Sequence, residues 1–175
     1  MIKKILILCF ILSNVLMPIH SFAEEPTDFY VKAILPNSQI DSSVSYFKLK
    51  LEPEQEEVLE VEVGNATDKE IVVKIEGNAA FTNNNGVVEY SETKKEQDST
   101  LKHPFSKLAI IENNKITVPA NETRIARIVV TMPKNPFDGV ILGGLKFTLA
   151  DTEEKQVGQI KKYIFIYYWG FTLRE

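Results

Sequence analysis

The sequence predicts an all-β protein with the architecture of an immunoglobulin-like antiparallel β-sandwich. Three observations favour this fold. Short stretches alternate apolar and polar residues, as strands with one buried face do, and clusters of turn-forming residues separate these stretches. No long stretch repeats its apolar residues with the helical period. A closed barrel is the alternative, and the long polar connections between strands favour the sandwich.

The segment 137–147 predicts the central strand of this core. Asp138 and Gly139 open it as turn residues, and Gly143 and Gly144 interrupt the apolar run that follows. Because glycine lacks a Cβ atom, a glycine pair inside a strand indicates a bulge, a sharp bend or the close approach of another backbone. We therefore expect Gly139, Gly143 and Gly144 to have structural roles.

Residues 1–23 have the features of a cleavable signal peptide. Two lysines follow the first methionine, an apolar run continues to Leu16, Pro18 breaks the run, and small residues lead up to Ala23. The run is too short for the ~20 residues that a membrane-spanning helix needs. The sequence thus predicts a signal peptide over 1–23 and one secreted β-sandwich domain over 24–175.

The mature chain is expected to be acidic and free of cysteine. Loss of Lys3 and Lys4 with the signal peptide takes the net charge from −4 to −6, and the only cysteine is lost with them. A secreted domain without disulfides must be held together by its core. The negative charge disfavours nucleic acid and anionic lipid surfaces as partners.

Four strands are predicted in the first part of the domain. They span residues 29–34, 45–51 and 58–63, with a return strand over 71–75. In most of them apolar residues alternate with charged ones. The turn-rich segment 64–68 predicts that the strands on either side of it pair as an antiparallel hairpin.

A tight turn, a loop and an ambiguous segment follow. Gly86 comes after three asparagines and suits a turn position with positive φ. The charged segment 91–102 predicts a solvated loop, and 105–111 is compatible with either a strand or a short helical turn. The three asparagines are Asn83, Asn84 and Asn85.

The remaining strands flank the central one. A strand over 115–118 reaches a corner at Pro119 and is followed by a long strand over 124–132. After the central strand, an acidic turn at 151–154 leads to a last strand over 163–171. We expect eight to ten short strands in all, a number that suits a sandwich.

The residue inventory argues against catalysis. A Ser–His or Cys–His nucleophile needs a base, and the mature chain has one histidine, His103, and no thiol. Structural zinc needs four N or S ligands, and no glycine-rich loop opens a helix for phosphate. Acids are plentiful enough for a glycosidase pair, but most fall at outward strand positions. We predict a non-enzymatic protein without metal or cofactor.

The last predicted strand carries more aromatic residues than a core needs. Alternation places Tyr163, Phe165, Tyr167, Trp169 and Phe171 on one face. Either this strand is buried on both sides, or that face forms an interface or a platform for stacked sugar rings. Tyr167 and Trp169 are therefore candidate ligand contacts.

Polar candidates for a glycan contact lie in two predicted turns. One is the asparagine turn, with Asn83, Asn84 and Asn85, and the other is the start of the central strand, with Asp138. Amide and carboxylate groups can hydrogen-bond sugar hydroxyls. Turn geometry alone is the alternative explanation for all four residues.

Five segments in the same order resemble one protein family. The assembly is similar to the N-terminal, peptidoglycan-binding domain of the WxL-interacting proteins of low-GC Gram-positive bacteria, over about residues 28–175. The segments are FYVKAILPNSQID (29–41), LEVEVGNATDKEI (59–71), TNNNGVVEYS (82–91), KHPFS (102–106) and FDGVILGGL (137–145).

The resemblance implies a non-enzymatic module of the cell surface. Such a module binds peptidoglycan and works with secreted WxL proteins in surface complexes that engage host matrix. Family members normally continue into a second sandwich-like domain for host binding, a transmembrane helix and a basic tail. This sequence ends at Glu175 without them, so we expect the second domain and the membrane anchor to be absent.

Noncovalent peptidoglycan binding is therefore the leading hypothesis. The alternative is a protein interaction module that binds a WxL partner or its own copy through an exposed strand edge, without glycan contact. A cell-wall hydrolase is a third possibility.

Overall fold

The computed structural model describes residues 29–91, 97–150 and 161–170, and in the last stretch it gives the backbone and the side chain of Ile164. Eleven strands and one helical turn, α1 (Phe105–Leu108), lie in these residues. The strands are β1 (Phe29–Ile34), β2 (Phe47–Lys50), β3 (Glu56–Asn65), β4 (Ile71–Ala79), β5 (Phe81–Thr82), β6 (Val88–Glu89), β7 (Ala109–Ile111), β8 (Lys115–Val118), β9 (Thr123–Thr131), β10 (Gly139–Leu149) and β11 (Lys161–Gly170).

Two sheets pack face to face, which confirms the predicted sandwich. The four-stranded sheet has the order β1-β3-β9-β7, and the five-stranded sheet has the order β2-β11-β10-β4-β8. A separate hairpin joins β5 and β6. Strand pairing is antiparallel in both sheets except between β2 and β11, which run parallel. The predicted antiparallel sandwich thus contains one parallel pair.

The core lies between the two sheets. Val61 and Ile128 of the four-stranded sheet and Leu145 and Phe147 of the five-stranded sheet are completely buried. Burying a side chain of this size contributes about 1.5–3 kcal/mol to the free energy of unfolding. A continuous apolar layer of this kind can hold the domain together without disulfides.

The predicted hairpin over residues 58–75 is wrong. β3 belongs to the four-stranded sheet and β4 to the five-stranded sheet, so the chain crosses the sandwich between them. Asn65 fixes this crossing, because its Nδ2 donates to the carbonyl oxygens of Lys69, at 2.7 Å, and of Val118, at 3.0 Å. Both strands bury one face because they face the same core from opposite sides, and alternation alone cannot distinguish this arch from a hairpin.

β10 is the central strand of its sheet, as predicted, but it contains no bulge. Its register with β4 runs unbroken through Gly143 and Gly144. The glycines make room for side chains rather than for another backbone. A Cβ atom on Gly143 would lie 2.1 Å from Cγ of Phe105, and one on Gly144 would lie 2.7 Å from Cβ of Tyr90.

The ambiguous segment 105–111 combines both predicted structures. α1 is a single helical turn, and β7 follows it directly. Phe105 is completely buried, with its ring over Gly143. The asparagine turn also forms as predicted, since Gly86 has a φ of 77° and its N–H donates to the carbonyl oxygen of Asn83 at 3.0 Å.

Several predictions fall outside the described residues. These are the signal peptide over 1–23, the acidic turn at 151–154 and the end of the last strand at Phe171. Within the described residues, no helix is long and apolar enough to cross a membrane.

Candidate ligand-binding groove

A groove of about 670 Å³ opens at the end of the five-stranded sheet where β4 ends and β10 begins. Three segments that are distant in sequence line it. They are residues 80–82 with Val88, residues 100–104, and residues 136–142. We refer to this feature as the groove.

Local contacts bring the three segments together. The N–H of Ala80 donates to the carbonyl oxygen of Leu142 at 3.2 Å, which holds the chain leading into β5 against β10. The loop before α1 is fixed because Phe105 packs over Gly143. Because Gly143 has no side chain, Phe105 can pack against β10, and this contact fixes the adjacent Pro104 in the lining of the groove.

The groove presents apolar side chains to solvent. Val88 is 44% exposed, Leu101 43% and Val140 38%. The rings of His103 and Phe137 contact each other, with their centroids 5.5 Å apart and their planes tilted by 41°. Apolar groups exposed in a concave surface are typical of a binding site.

Polar groups also line the groove. Lys102 and Asp138 are both exposed, and neither forms an ion pair with any residue that the structure describes. Thr100 is held in place by Asp98, whose Oδ1 accepts the Thr100 hydroxyl at 2.7 Å and its N–H at 2.8 Å. These hydrogen bonds lower the pKa of Asp98, because they favour its charged form.

The structure places the sequence-predicted candidates around this groove. Asp138 lines it directly. Tyr167 and Trp169 lie on β11 opposite Leu142 and Val140, two groove-lining residues of β10. Only the backbone positions of these two aromatic residues are described, so their contribution to binding stays a prediction.

The asparagine turn forms the tip of the β5–β6 hairpin beside the groove. Asn83 stabilises this tip, because its Oδ1 accepts the N–H groups of Asn85, at 2.9 Å, and Val87, at 3.0 Å. Its Nδ2 donates to the Glu89 carboxylate. Turn geometry therefore explains Asn83, whereas the side chains of Asn84 and Asn85 are exposed.

Gly139 lies where the groove opens to solvent. Its φ is 140°, in a region that favours glycine, and no atom lies within 4 Å of where its Cβ would be. A larger residue at Gly139 would strain the backbone at the start of β10, although its Cβ atom would contact no other atom.

Sequence reasoning missed most of the groove. Leu101, Lys102 and Phe137 were not among the predicted contacts, and His103 was considered only as a possible base. One signal was available: an isolated leucine in a charged loop. A second was the resemblance itself, because segments 82–91, 102–106 and 137–145 all contribute lining residues.

Over Ile166 to Trp169, β11 does not offer the open strand edge that a strand-addition model needs. It lies between β2 and β10, and β2 pairs with residues Ile166 to Trp169. The edges of the two sheets are instead β1 and β7, and β2 and β8. Among the described residues, no cluster of His, Cys, Asp or Glu could hold a metal ion.

An immunoglobulin-like sandwich with an open groove at one end of a sheet defines a small all-β binding domain. Residues 29–149 match the family model described as WxL Interacting Protein, peptidoglycan binding domain, which covers well over half of the chain. The chain therefore belongs to this family, and the domain is a peptidoglycan-binding module of the cell surface. No curated protein matches the chain significantly.

Solved structures are similar to the chain at low sequence identity. A family 123 glycoside hydrolase from Clostridium perfringens is 10% identical, with a TM-score of 0.52 over 83% of this chain and 28% of that one. The CsuC–CsuE chaperone-tip adhesion subunit complex of Acinetobacter baumannii is 17% identical, with a TM-score of 0.47 over 82% and 57%. The ASH/PapD-like domain of human CEP192 is 8% identical, with a TM-score of 0.46 over 90% and 99%.

Proposed function

We propose that the groove binds peptidoglycan noncovalently and that the domain catalyses no reaction. Family membership identifies peptidoglycan as the ligand, and the groove offers a concave surface with exposed apolar and polar groups. The observation that carries the proposal is the convergence on this groove of three of the five segments on which the resemblance rests.

The groove chemistry supports binding without catalysis. A glycosidase of the usual kind needs two carboxyl groups that flank the scissile bond. Asp138 is the only acid among the described lining residues. His103 packs against Phe137 and has no carboxylate partner among the described residues, so nothing there orients it as a base.

The location of the protein follows from the same proposal. A signal peptide over 1–23 would direct a single domain over 24–175 to the outside of the cell, where the wall polymer is present. The net charge of −6 that remains after loss of Lys3 and Lys4 would repel anionic wall polymers. Long-range attraction to such polymers should therefore contribute nothing to affinity, and binding should persist at moderate salt.

A sedimentation assay with purified sacculi tests this function. The chain without residues 1–23 is mixed with sacculi stripped of teichoic acid, at low and at moderate salt, and bound protein is measured against total protein. We expect binding at both salt concentrations and no loss of turbidity of the wall suspension. Protein that stays in the supernatant would refute peptidoglycan binding, and clearing of the suspension would refute the absence of catalysis.

One observation favours a second, compatible function, the binding of a WxL protein. β1 is an edge strand, and a cleft of about 590 Å³ lies beside it, lined by residues 31–35, Val44, Ser45 and Ile164. A strand of a partner could pair with β1 and place alternate side chains in this cleft. Light scattering of the protein, alone and mixed with a WxL domain, tests this idea. A protein that stays monomeric in the mixture would contradict it.

A further inference from the structure

We infer that the groove recognises the peptide stem of peptidoglycan rather than its sugar chain. This inference rests on the proposed function, which assigns the polymer to the groove. It adds the chemical class of the part that is bound: a short peptide that carries both a carboxylate and an amino group.

The charges of the groove support this assignment. Lys102 and Asp138 line the same concavity without an ion pair to any described residue. Some strand charges form ion pairs, such as Arg127–Glu60 at 2.9 Å and Lys146–Glu76 at 3.1 Å, and the two groove charges do not. A cation and an anion left unpaired in one groove suit a ligand with both charges. The sugar chain offers hydroxyl and N-acetyl groups but no charge, whereas stems end in carboxylates and commonly contain a diamino acid.

The apolar part of the lining also fits a peptide. Val88, Leu101 and Val140 expose aliphatic side chains, which are suited to the methyl groups of alanine residues. Sugar rings bind best to flat, open aromatic faces. The aromatic rings of the described lining include Phe137 and His103, which already contact each other.

The size and opening of the groove are consistent with a short ligand. Its volume of about 670 Å³ lies within the range of small-ligand pockets, ~300–1,000 Å³. A stem held there must leave room for the sugar chain to which it is attached. The groove is open at Gly139, where no atom lies within 4 Å of the missing Cβ position.

The proposed contacts are specific. The stem carboxylate accepts hydrogen bonds from the Lys102 ammonium group, and the amino group of the diamino acid donates to Asp138. Charge-assisted hydrogen bonds of this kind are short and about twice as strong as neutral ones. Reversal of either charge should therefore weaken binding about tenfold, which corresponds to ~1.4 kcal/mol.

Enzymatic removal of the stems tests the inference directly. An N-acetylmuramoyl-L-alanine amidase converts one portion of the sacculi into soluble glycan strands and soluble stems, and each fraction is added separately as a competitor while the protein sediments with intact sacculi. We expect the stem fraction to displace the protein and the glycan fraction to be at least tenfold less effective. Displacement by the glycan fraction alone, or equal displacement by both fractions, would overturn the inference and leave the proposed function intact. No sedimentation with intact sacculi would overturn the proposed function itself.

Charge variants and a soluble probe locate the contact. The probe is the tetrapeptide L-Ala-γ-D-Glu-L-Lys-D-Ala, added as a competitor and titrated by calorimetry. Lys102→Glu and Asp138→Lys should each weaken it about tenfold, whereas Lys107→Glu, an exposed lysine of α1 outside the lining, should not. Thermal melts verify that the three variants fold. Wild-type affinity in both groove variants would refute the assigned contacts.

Discussion

Two surfaces of this domain expose large apolar side chains. They differ in shape and in whether their charged side chains form ion pairs with one another. One is the groove region, and the other is the outer face of the four-stranded sheet. Around the groove the exposed residues are Val87, Val88, Leu101 and Val140. On the sheet face they are Tyr30, Ile34, Val58, Ile110 and Ile125.

On the sheet face several polar side chains bond to one another. Arg127 Nε donates to Glu60 at 2.9 Å, and the Tyr30 hydroxyl donates to Glu62 at 3.2 Å. The Tyr30 ring lies over Gly64, with Cε1 2.1 Å from where a Cβ would be. The groove is concave and leaves Lys102 and Asp138 without described ion-pair partners. Exposure alone therefore does not mark a binding site, and exposure within a concave surface is the stronger indication.

The largest expected effect on stability comes from a substitution that displaces Phe105, next to the lining of the groove. Gly143→Val should lower the free energy of unfolding by about 3 kcal/mol or more, because its Cβ would overlap Phe105, which cannot move without displacing the core. Urea denaturation measures this change. Combination of Gly143→Ala with Phe105→Ala should be less destabilising than the sum of the two changes. An unaltered midpoint for Gly143→Val would show that the ring does not depend on this glycine.

A second variant destabilises the end of the sandwich far from the groove. Asn65 is 4% exposed and bonds the carbonyl oxygens of Lys69 and Val118, at the start of β4 rather than its end. Asn65→Ala should lower the free energy of unfolding by about 2–3 kcal/mol, since the buried bond to the Val118 carbonyl is lost together with the others that this side chain makes. Affinity of the folded protein for sacculi should not change. The exposed Asn113→Ala is the control, with an expected change below about 0.5 kcal/mol.

Matched surface variants compare the two apolar regions directly. Leu101→Ser and Val140→Ser change the groove, and Val58→Ser and Ile110→Ser change the sheet face at similar or greater exposure. We expect all four to unfold within about 0.5 kcal/mol of the wild type. Sacculus affinity should fall about tenfold for the groove pair only. A greater loss of affinity in the sheet-face pair would indicate that the binding site lies on that face.

The fold was largely predictable because it depends on local patterns. Phe47, Leu49 and Leu51 alternate with charged residues, and all three are buried as predicted. The partner of each strand was not predictable in the same way. A strand in either sheet buries one face, so the pattern could not show that β3 and β4 lie in opposite sheets. Asn65 stabilises this crossing through a long-range hydrogen bond.

The candidate site was predictable only in part. Asp138 stood out because it opens a strand with unusual glycines. Leu101 and Phe137 became relevant only through the tertiary contact of Phe105 with Gly143, which joins segments about forty residues apart and has no local signature. Turn propensity favoured Asn83, whose hydrogen bonds are used within its own hairpin.

The smallest expected effect is a pH dependence of stability, which should be present for a paired carboxylate and absent for an unpaired one. Burial raises the pKa of Glu76, but hydrogen bonds from Lys74 and Lys146 outweigh this, so the net pKa lies below the ordinary value. A lowered folded-state pKa contributes stability above the unfolded-state pKa, and this contribution is lost as pH falls through the folded-state pKa. Glu76→Gln should therefore be less stable than the wild type near pH 7, and the difference should shrink toward about pH 3.

Urea midpoints at several pH values measure this difference, with Asp138→Asn as the matched control. Asp138 has no described ion-pair partner, so its replacement should change the stability profile little while it weakens sacculus binding. If the Glu76→Gln difference stayed constant with pH, the ion pairs around Glu76 would not contribute to stability. If Asp138→Asn changed the profile as Glu76→Gln does, the groove charge would be part of the framework, and the distinction between the two kinds of surface charge would fail.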